Sequence, residues 1–355
     1  MKILVRGTNW IGDAVMSVPA LKELRRIFPD AEITLHTRTW ADGIFANAPF
    51  IDELVTFDKG KWAAKDVYEN SQFLKGDGYD LAIILPNSFE SALTSFLSSI
   101  PRRFGYNKDL RGLLLTDPIA VPEWKNRRHE VYYYLDLISE VEKRLLGRDT
   151  VSESSPDATL VVPDALRMSA LKRLSSEGID PLKRIVLLGV GSTNSDAKRW
   201  PTERFVNLIN TTPSGSLSNV ILLGSKAETK VAHEVTRRSK VRVIDLTGRT
   251  SLSEAMAILS VADLMVSNDM GLAHIAAAVG TSTIVLFGPT NPITTRPWGD
   301  NVTVLQREVS CKHCDRGDGS ARHVCTRWAS VDDVAAVVDG ALAKELSPID
   351  LAAVS

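Results

Sequence analysis

The sequence predicts an α/β protein made of two doubly wound domains, each a parallel sheet with helices on both faces. Apolar runs of strand length alternate with helix-length patterns in both halves of the chain, which is the signature of strand–helix–strand units. Each half opens with a strand ending in a glycine-bearing turn, LVRGTNWIGDAV at 4–15 and LLGVGSTNSDAKRWP at 187–201. The length, 355 residues, exceeds what one hydrophobic core usually holds.

The first half supplies buried strands at 3–5, 33–36 and 81–85, with a helical pattern at 20–27 between two of them. The second half supplies runs at 185–190, 220–223, 241–246, 264–267 and 283–287. A stretch rich in Ser, Pro and acidic residues, 149–164, leads to the boundary between them. The expected domains are therefore 1–165 and 166–330, followed by 331–355, whose helical pattern at 331–346 is expected to pack back on the first domain. Two facing sheets would border a central cleft, gripping a nucleotide in one half and a second substrate in the other.

Composition narrows the class. Hydrophobic residues are 44% and charged residues 24%, a globular balance. No apolar run approaches the roughly 20 residues that span a bilayer. The opening MKILVRG enters a strand directly, so a cytoplasmic protein without a signal peptide is expected. A net charge of −1 gives no support to generic nucleic-acid binding. The basic runs Arg102-Arg103 and 125–128 could meet an anionic ligand or membrane surface, or form an ordinary solvated face.

Cys311, Cys314 and Cys325 fall in one late segment with His313 and His323 between them. Such ligands could hold a structural zinc or form a redox-labile pair. With no second CxxC and with Arg, Gly and Asp interspersed, the expectation is a loop without metal and outside the chemistry.

The run MVSNDMGLAHIAAAVGTSTIVLFGP at 265–289 reads strand, polar turn, small-residue helix and strand. A helix N-terminus at the end of a parallel strand favours an anion, so Ser267, Asn268, Asp269, Met270 and Gly271 are expected to wall a phosphate pocket, with His274 one turn further in. The alternative is that Asn268 or Asp269 merely caps the helix. Ser192, Thr193 and Lys198 follow a buried strand, where hydroxyls and a lysine can bind diphosphate oxygens. Leu223-Gly224-Ser225-Lys226 and Leu246-Thr247-Gly248 follow strands of the same half and are expected at the same edge. Asp13, just after Gly12, is a candidate general base or a plain helix cap. Neither glycine turn spells a P-loop or a dinucleotide fingerprint, which disfavours a Rossmann dehydrogenase.

In this order, ILVRGTNWIGDAVMSVPAL, LPNSFESALTSFLSSIPRRFGY, AKRWP, LLGSKAE, DLTGRTSL and SNDMGLAHIAAAVGTSTIVLFGPT resemble the ADP-heptose:lipopolysaccharide heptosyltransferases of glycosyltransferase family 9. The resemblance extends over nearly the whole chain. LPNSFESAL, IPRRFGY and the cysteine cluster tilt it toward the heptosyltransferase II type rather than I or III.

The resemblance implies a GT-B fold and an inverting, metal-independent, cofactor-free transfer of heptose from ADP-heptose. The acceptor it implies is the lipid A-linked heptose/Kdo inner core, met at the inner membrane surface. Asp13 matches the base, Lys198 the lysine beside the donor phosphates, and Asp269, Gly271, Leu272 and His274 the donor-binding DxGLxH segment. Ser192, Thr193, Thr247 and Gly248 become pocket neighbours, while Asn9, Arg102, Arg103, Lys108 and Arg111 become expected acceptor contacts. The chain departs from the family pattern at 189–193, GVGST in place of the usual Pro-Gly-Ala, and at Met270, where a small hydroxyl residue is common. Other readings are a different GT-B enzyme such as a nucleotide-sugar epimerase, or a noncatalytic sugar-nucleotide sensor.

Overall fold

The computed structural model describes residues 1–180, 182–192, 198–211, 219–306 and 329–343. They form two compact units. The first comprises Met1–Val161 with Ile293–Trp298, and the second comprises the other described residues. The chain thus changes unit at Val161–Val162 and sends one short later segment to the first unit. That segment is tied in by side chains: Trp298 Nε1 donates to Pro156 O at 3.1 Å, and His129 Nε2 lies 2.7 Å from Arg296 O.

The first unit runs β1 (Lys2–Arg6), α1 (Ile11–Met16), α2 (Val18–Ile27), β2 (Glu32–Arg38), α3 (Asp42–Phe45), β3 (Glu53–Phe57) and α4 (Ala63–Lys75). It continues through β4 (Leu81–Ile84), α5 (Phe89–Leu97), β5 (Arg102–Tyr106), β6 (Asp117–Ile119) and α6 (Glu130–Leu146). Its sheet has the order β3-β2-β1-β4-β5-β6, with every pair parallel. All residues of β4, LAII, are buried, as expected of a central parallel strand covered on both faces. Leu4, Ala82 and Ile84 share one core with Leu74 and Ile100, and each large aliphatic side chain there contributes about 1.5–3 kcal/mol.

The later elements are α7 (Asp164–Ser176), β7 (Ile185–Gly189), α8 (Thr202–Thr211), β8 (Asn219–Leu222), α9 (Thr229–Arg238), β9 (Val243–Asp245) and α10 (Leu252–Ser260). They end with β10 (Leu264–Asn268), α11 (Gly271–Ala278), β11 (Ser282–Leu286), α12 (Pro292–Thr295), β12 (Val302–Leu305) and α13 (Val331–Leu342). The second sheet has the order β12-β11-β10-β7-β8-β9, again all parallel. Counted from its own first strand this is the same winding as the first sheet, 3-2-1-4-5-6. Each sheet therefore has a switch point, between β1 and β4 and between β7 and β10, where loops on neighbouring strands diverge and leave room for a ligand.

One expectation is corrected. The C-terminal helix does not return to the first domain: Val334, Val338 and Leu342 of α13 are buried in the core of the second unit with Trp200, Phe205, Leu208 and Ile209. The physical reason is a four-residue apolar spacing that gives α13 a single greasy stripe, which α8 covers. Trp200 Nε1 donates to Ala329 O at 2.9 Å just before it and sets the approach. Among the described residues, no helix is long and apolar enough to cross a membrane.

Candidate active site

At the switch point of the second sheet, two residues 71 positions apart meet: Lys198 Nζ lies 2.6 Å from Asp269 Oδ2. Thr290 Oγ1 donates to the same oxygen at 2.8 Å. The Asp269 side chain is 8% exposed and that of Lys198 22%, so the carboxylate is an internal anchor and the lysine stays partly exposed. An ammonium carries three donors and Asp269 takes one, which leaves donors for a second anion.

Asn268, fully buried, holds the loop that carries Lys198. Its Oδ1 accepts from Trp200 N at 2.8 Å and its Nδ2 donates to Gly191 O at 3.0 Å, so one side chain ties both ends of the segment 191–200. Neither Asn268 nor Asp269 caps α11: the cap position is Met270, in extended backbone, and its side chain makes no cap bond. The positive end of the helix thus begins at Gly271 beside the lysine, where its first N–H groups favour an anion. Leu272 and His274 are 7% and 5% exposed and face the interior, so the GLxH segment offers its backbone more than its side chains.

The loops after β7, β8 and β9 converge on a residue that the sequence reading passed over, Glu228. A Cβ on Gly191 would come 2.1 Å from Glu228 Oε1, and one on Gly224 would come 2.8 Å from Oε2 and 3.3 Å from Thr247 Cγ2. Oε2 accepts from Ser225 N at 2.6 Å and Ser225 Oγ at 2.9 Å. Oε1 is buried with no hydrogen-bond partner. The signal was present as a capping box, Ser225 followed three residues later by Glu228, but that pattern reads as helix chemistry alone. Gly248 stands at φ +66, a left-handed turn in which its N–H donates to Gly224 O at 2.9 Å. Thr247 is buried and its hydroxyl turns to Asp245, so it shapes the loop by that bond. Ser192 is 2% exposed, and its carbonyl accepts from Arg199 Nη2 at 2.8 Å. Thr193, Cys311, Cys314, Cys325, His313 and His323 lie outside the described residues.

In the first unit, Asp13 is the third residue of α1, whose cap position is Trp10, so the plain-cap reading does not hold. The Tyr134 side chain on α6 hydrogen-bonds Asp13. Burial, and after it the charge of Asp13, keep that phenol protonated well above its ordinary range, so the hydroxyl is the donor. Asn9, in the loop before α1, accepts from Arg38 Nε at 3.2 Å.

The expected acceptor arginines are largely engaged by the fold. Arg102 Nη2 pairs with Asp117 Oδ1 at 2.7 Å, and Arg103 donates to Leu114 O at 2.7 Å and to Ile100 O. Arg111 is a correction: it is fully buried and donates to Tyr106 O at 2.7 Å, to Pro86 O and to Asn87 Oδ1. Burial draws its guanidinium down to about 10. It fastens the segment after β5 to the segment after β4 and does not reach solvent. Lys108 is exposed.

Two units of Rossmann winding, the second carrying a lysine beside a helix N-terminus, match the GT-B fold of sugar-nucleotide enzymes. A family model described as "Glycosyltransferase family 9 (heptosyltransferase)" matches residues 67–324, and the chain belongs to that family; it is a glycosyltransferase. It is 29% identical over 314 residues to lipooligosaccharide heptosyltransferase 2 of Haemophilus influenzae, covering 86% of this chain and 88% of that one. The solved ADP-heptose LPS heptosyltransferase II of Escherichia coli is similar in fold, with a TM-score of 0.80, 23% identity and coverage of 96% and 98%. A glycosyl transferase family 9 structure from Veillonella parvula is similar with a TM-score of 0.84, 21% identity and coverage of 97% and 98%.

Proposed function

We propose that this chain transfers heptose from ADP-heptose to the lipid A-linked heptose/Kdo inner core of lipopolysaccharide, the heptosyltransferase II reaction. The observation that carries the reading is the Lys198–Asp269 pair beside the uncapped start of α11. A diphosphate leaving group gains negative charge as the glycosidic bond breaks. A prepositioned ammonium and a helix N-terminus stabilise that charge without reorganising during the reaction. Ser192, Gly248, Asp269, Gly271, Leu272 and His274 shape the donor pocket, and Thr247 supports it. The unpartnered Oε1 of Glu228 suits a hydroxyl of the donor's ribose.

On the acceptor side, Asp13 takes the proton of the attacking hydroxyl, which enters opposite the departing ADP and inverts the anomeric carbon. The donating Tyr134 hydroxyl orients its carboxylate. Asn9 and Lys108 contact the acceptor, with Arg102 and Arg103 placing the backbone around them. The enzyme works in the cytoplasm against the inner membrane. Leu110 and Leu113, 87% and 93% exposed, support that contact, because an apolar loop tip suits burial at a bilayer interface.

The test is incubation with ADP-heptose and a series of truncated core acceptors, with products weighed by mass spectrometry. One heptose should be added to the acceptor that ends in the first heptose, with ADP released. Binding of ADP-heptose without ADP release on any acceptor would instead indicate a sensor, and release of a free epimerised sugar nucleotide would indicate an epimerase.

A further inference from the structure

A second cluster of polar groups lies in the first unit, at the carboxyl ends of β1, β2 and β3. Arg6 pairs in register with His36, and Arg38 with Phe57, so these four side chains share one face of the sheet. The guanidinium carbons of Arg6 and Arg38 sit 4.2 and 4.7 Å from the centre of the Phe57 ring, and the His36 ring sits 4.6 Å from it.

Arg6 is 4% and His36 1% exposed. Arg6 Nη1 donates to His36 O at 3.0 Å, and Arg38 Nε to Asn9 Oδ1 at 3.2 Å. Three further polar atoms of the cluster, Arg6 Nε, Arg38 Nη1 and His36 Nδ1, are buried without a hydrogen-bond partner, as is Oγ1 of Thr8, two residues along the chain from Arg6. Asp66, on the helix that covers this face, turns its carboxylate to Gly60 N at 2.8 Å and pairs with neither arginine.

Two guanidinium groups gathered with no carboxylate bonded to them among the described residues are costly to hold, since burial strips their water and each repels the other. Burial, then the charge of Arg38, pulls Arg6 down to about 9, and only Glu90 acts against them. Contact with an aromatic ring eases the charge but cannot accept an N–H. What is missing is an acceptor carrying negative charge.

We propose that Arg6, Arg38 and Thr8 form a binding site for an oxyanion, a carboxylate or phosphate group of the acceptor. His36 adds a second requirement. Its Nε2 meets Asn70 Oδ1 at 3.0 Å, and Asn70 is oriented by its own donation to Asp66 O at 2.7 Å. The imidazole N–H is therefore on Nε2, and Nδ1 is left as an acceptor. Burial holds the ring neutral, down to about 3. A neutral acceptor beside two cations suits a ligand that carries a hydroxyl next to its anionic group, as an acidic or phosphorylated sugar does. Because Arg38 also holds Asn9 in the loop leading to Asp13, an anion seated here would fix the acceptor relative to that loop. The oxyanion site follows from these residues alone; its assignment to the acceptor rests on the proposed transfer.

The test uses Arg38→Met and the gentler Arg38→Lys, since Arg38 is only partly buried. With ADP saturating the donor site, so that Lys198 and the start of α11 are occupied, inorganic phosphate should still raise the melting temperature of the native protein and compete with the acceptor. Arg38→Met should lose the phosphate response and raise acceptor KM about tenfold or more, as expected for loss of a charge-assisted contact, while ADP-heptose KM stays within about twofold. Arg38→Lys should recover part of the loss. An unchanged phosphate response in folded Arg38→Met would overturn the site. Phosphate bound without competition against the acceptor would mark an adventitious ion only and overturn the acceptor assignment. Arg38-dependent phosphate binding in a protein that transfers no heptose would refute the proposed reaction and support the oxyanion site.

Discussion

The two sheets of this chain share one winding and treat charge at their strand ends in opposite ways. At the end of β10, Asp269 neutralises Lys198 and Thr290 completes the carboxylate, so the cation is compensated before any ligand arrives. At the ends of β1 and β2, Arg6 and Arg38 both stand against one aromatic ring, with no ion pair among the described residues. The winding supplies only a place where loops diverge; the residues at each strand end decide what can bind there. A compensated lysine can engage a diphosphate and release it again. An uncompensated pair favours holding an anion in place, which suits positioning an acceptor more than promoting departure of a leaving group.

The sharpest way to break this division is to remove the base. Asp13→Asn keeps the size of the side chain, and the first turn of α1 does not depend on it as a cap. Melting temperature and ADP-heptose affinity should stay near native while turnover falls by about 10²–10⁴, the usual range for general-base assistance. Near-native turnover in a stable Asp13→Asn protein would move the base elsewhere in the first unit.

Next in size is Lys198→Ala, expected to reduce kcat by about a hundredfold or more, the scale of one preorganised electrostatic contact. Calorimetry should show weaker ADP binding and leave acceptor affinity alone. Transfer by the native protein should persist in excess chelator, because the diphosphate contacts proposed here are the lysine and the helix end; restoration by magnesium after EDTA would contradict this.

A smaller effect separates the units by pH. Burial works against the charge of Asp149, but the Ser139 and Lys143 contacts at 2.7 and 2.9 Å outweigh it and hold the carboxyl at about 2. Glu142, whose burial is likewise outweighed, is lowered by Thr150 and Val151. Carboxyls depressed in the folded state contribute stability that is complete above their unfolded values and lost as pH falls through the folded ones. The first unit should therefore lose about 1 kcal/mol at Asp149 between roughly pH 4 and 2, after allowance for solvent screening, with Glu142 acting in the same direction. Amide exchange at α6 should rise in that window before exchange at β7 does. Simultaneous opening of α6 and β7 would deny the difference.

The smallest expected effect is at the cysteines. Replacing Cys311, Cys314 and Cys325 together by Ser should keep turnover within about tenfold, roughly 1.4 kcal/mol on the barrier. Stoichiometric zinc, lost together with folding in that variant, would show that a structural metal had been overlooked.

The central strands were legible because parallel strands covered on both faces are continuous apolar runs: β1, β4, β7 and β10 all stand out this way. The outer strands were not. β3 and β6 are the sheet edges: β3 is ELVTF and only half-buried, and β6 is three residues with a central proline. Such edge features mask strand periodicity, and in β5, one strand in from the edge, two leading arginines interrupt the apolar run. In the site, NDMGLAH was readable because strand, turn and small-residue helix are contiguous. The ion pair from Asp269 to Lys198 was not, since only the fold brings those residues together. The sequence marks neither Arg6 nor Arg38 as part of a site. Their missing partners are a property of three dimensions.

The division of labour is tested most directly by hydrogen–deuterium exchange of the full chain with and without ADP. Added protection should fall on the loops ending β7 to β10, at Gly191–Ser192, Gly224–Glu228, Thr247–Gly248 and Asp269–His274, while the segment from Arg6 to Asp13 and the end of β2 stay unchanged. Protection concentrated at Arg6 and Arg38, with none around Lys198 and Gly271, would place the nucleotide in the first unit and contradict the assignment of donor and acceptor made here.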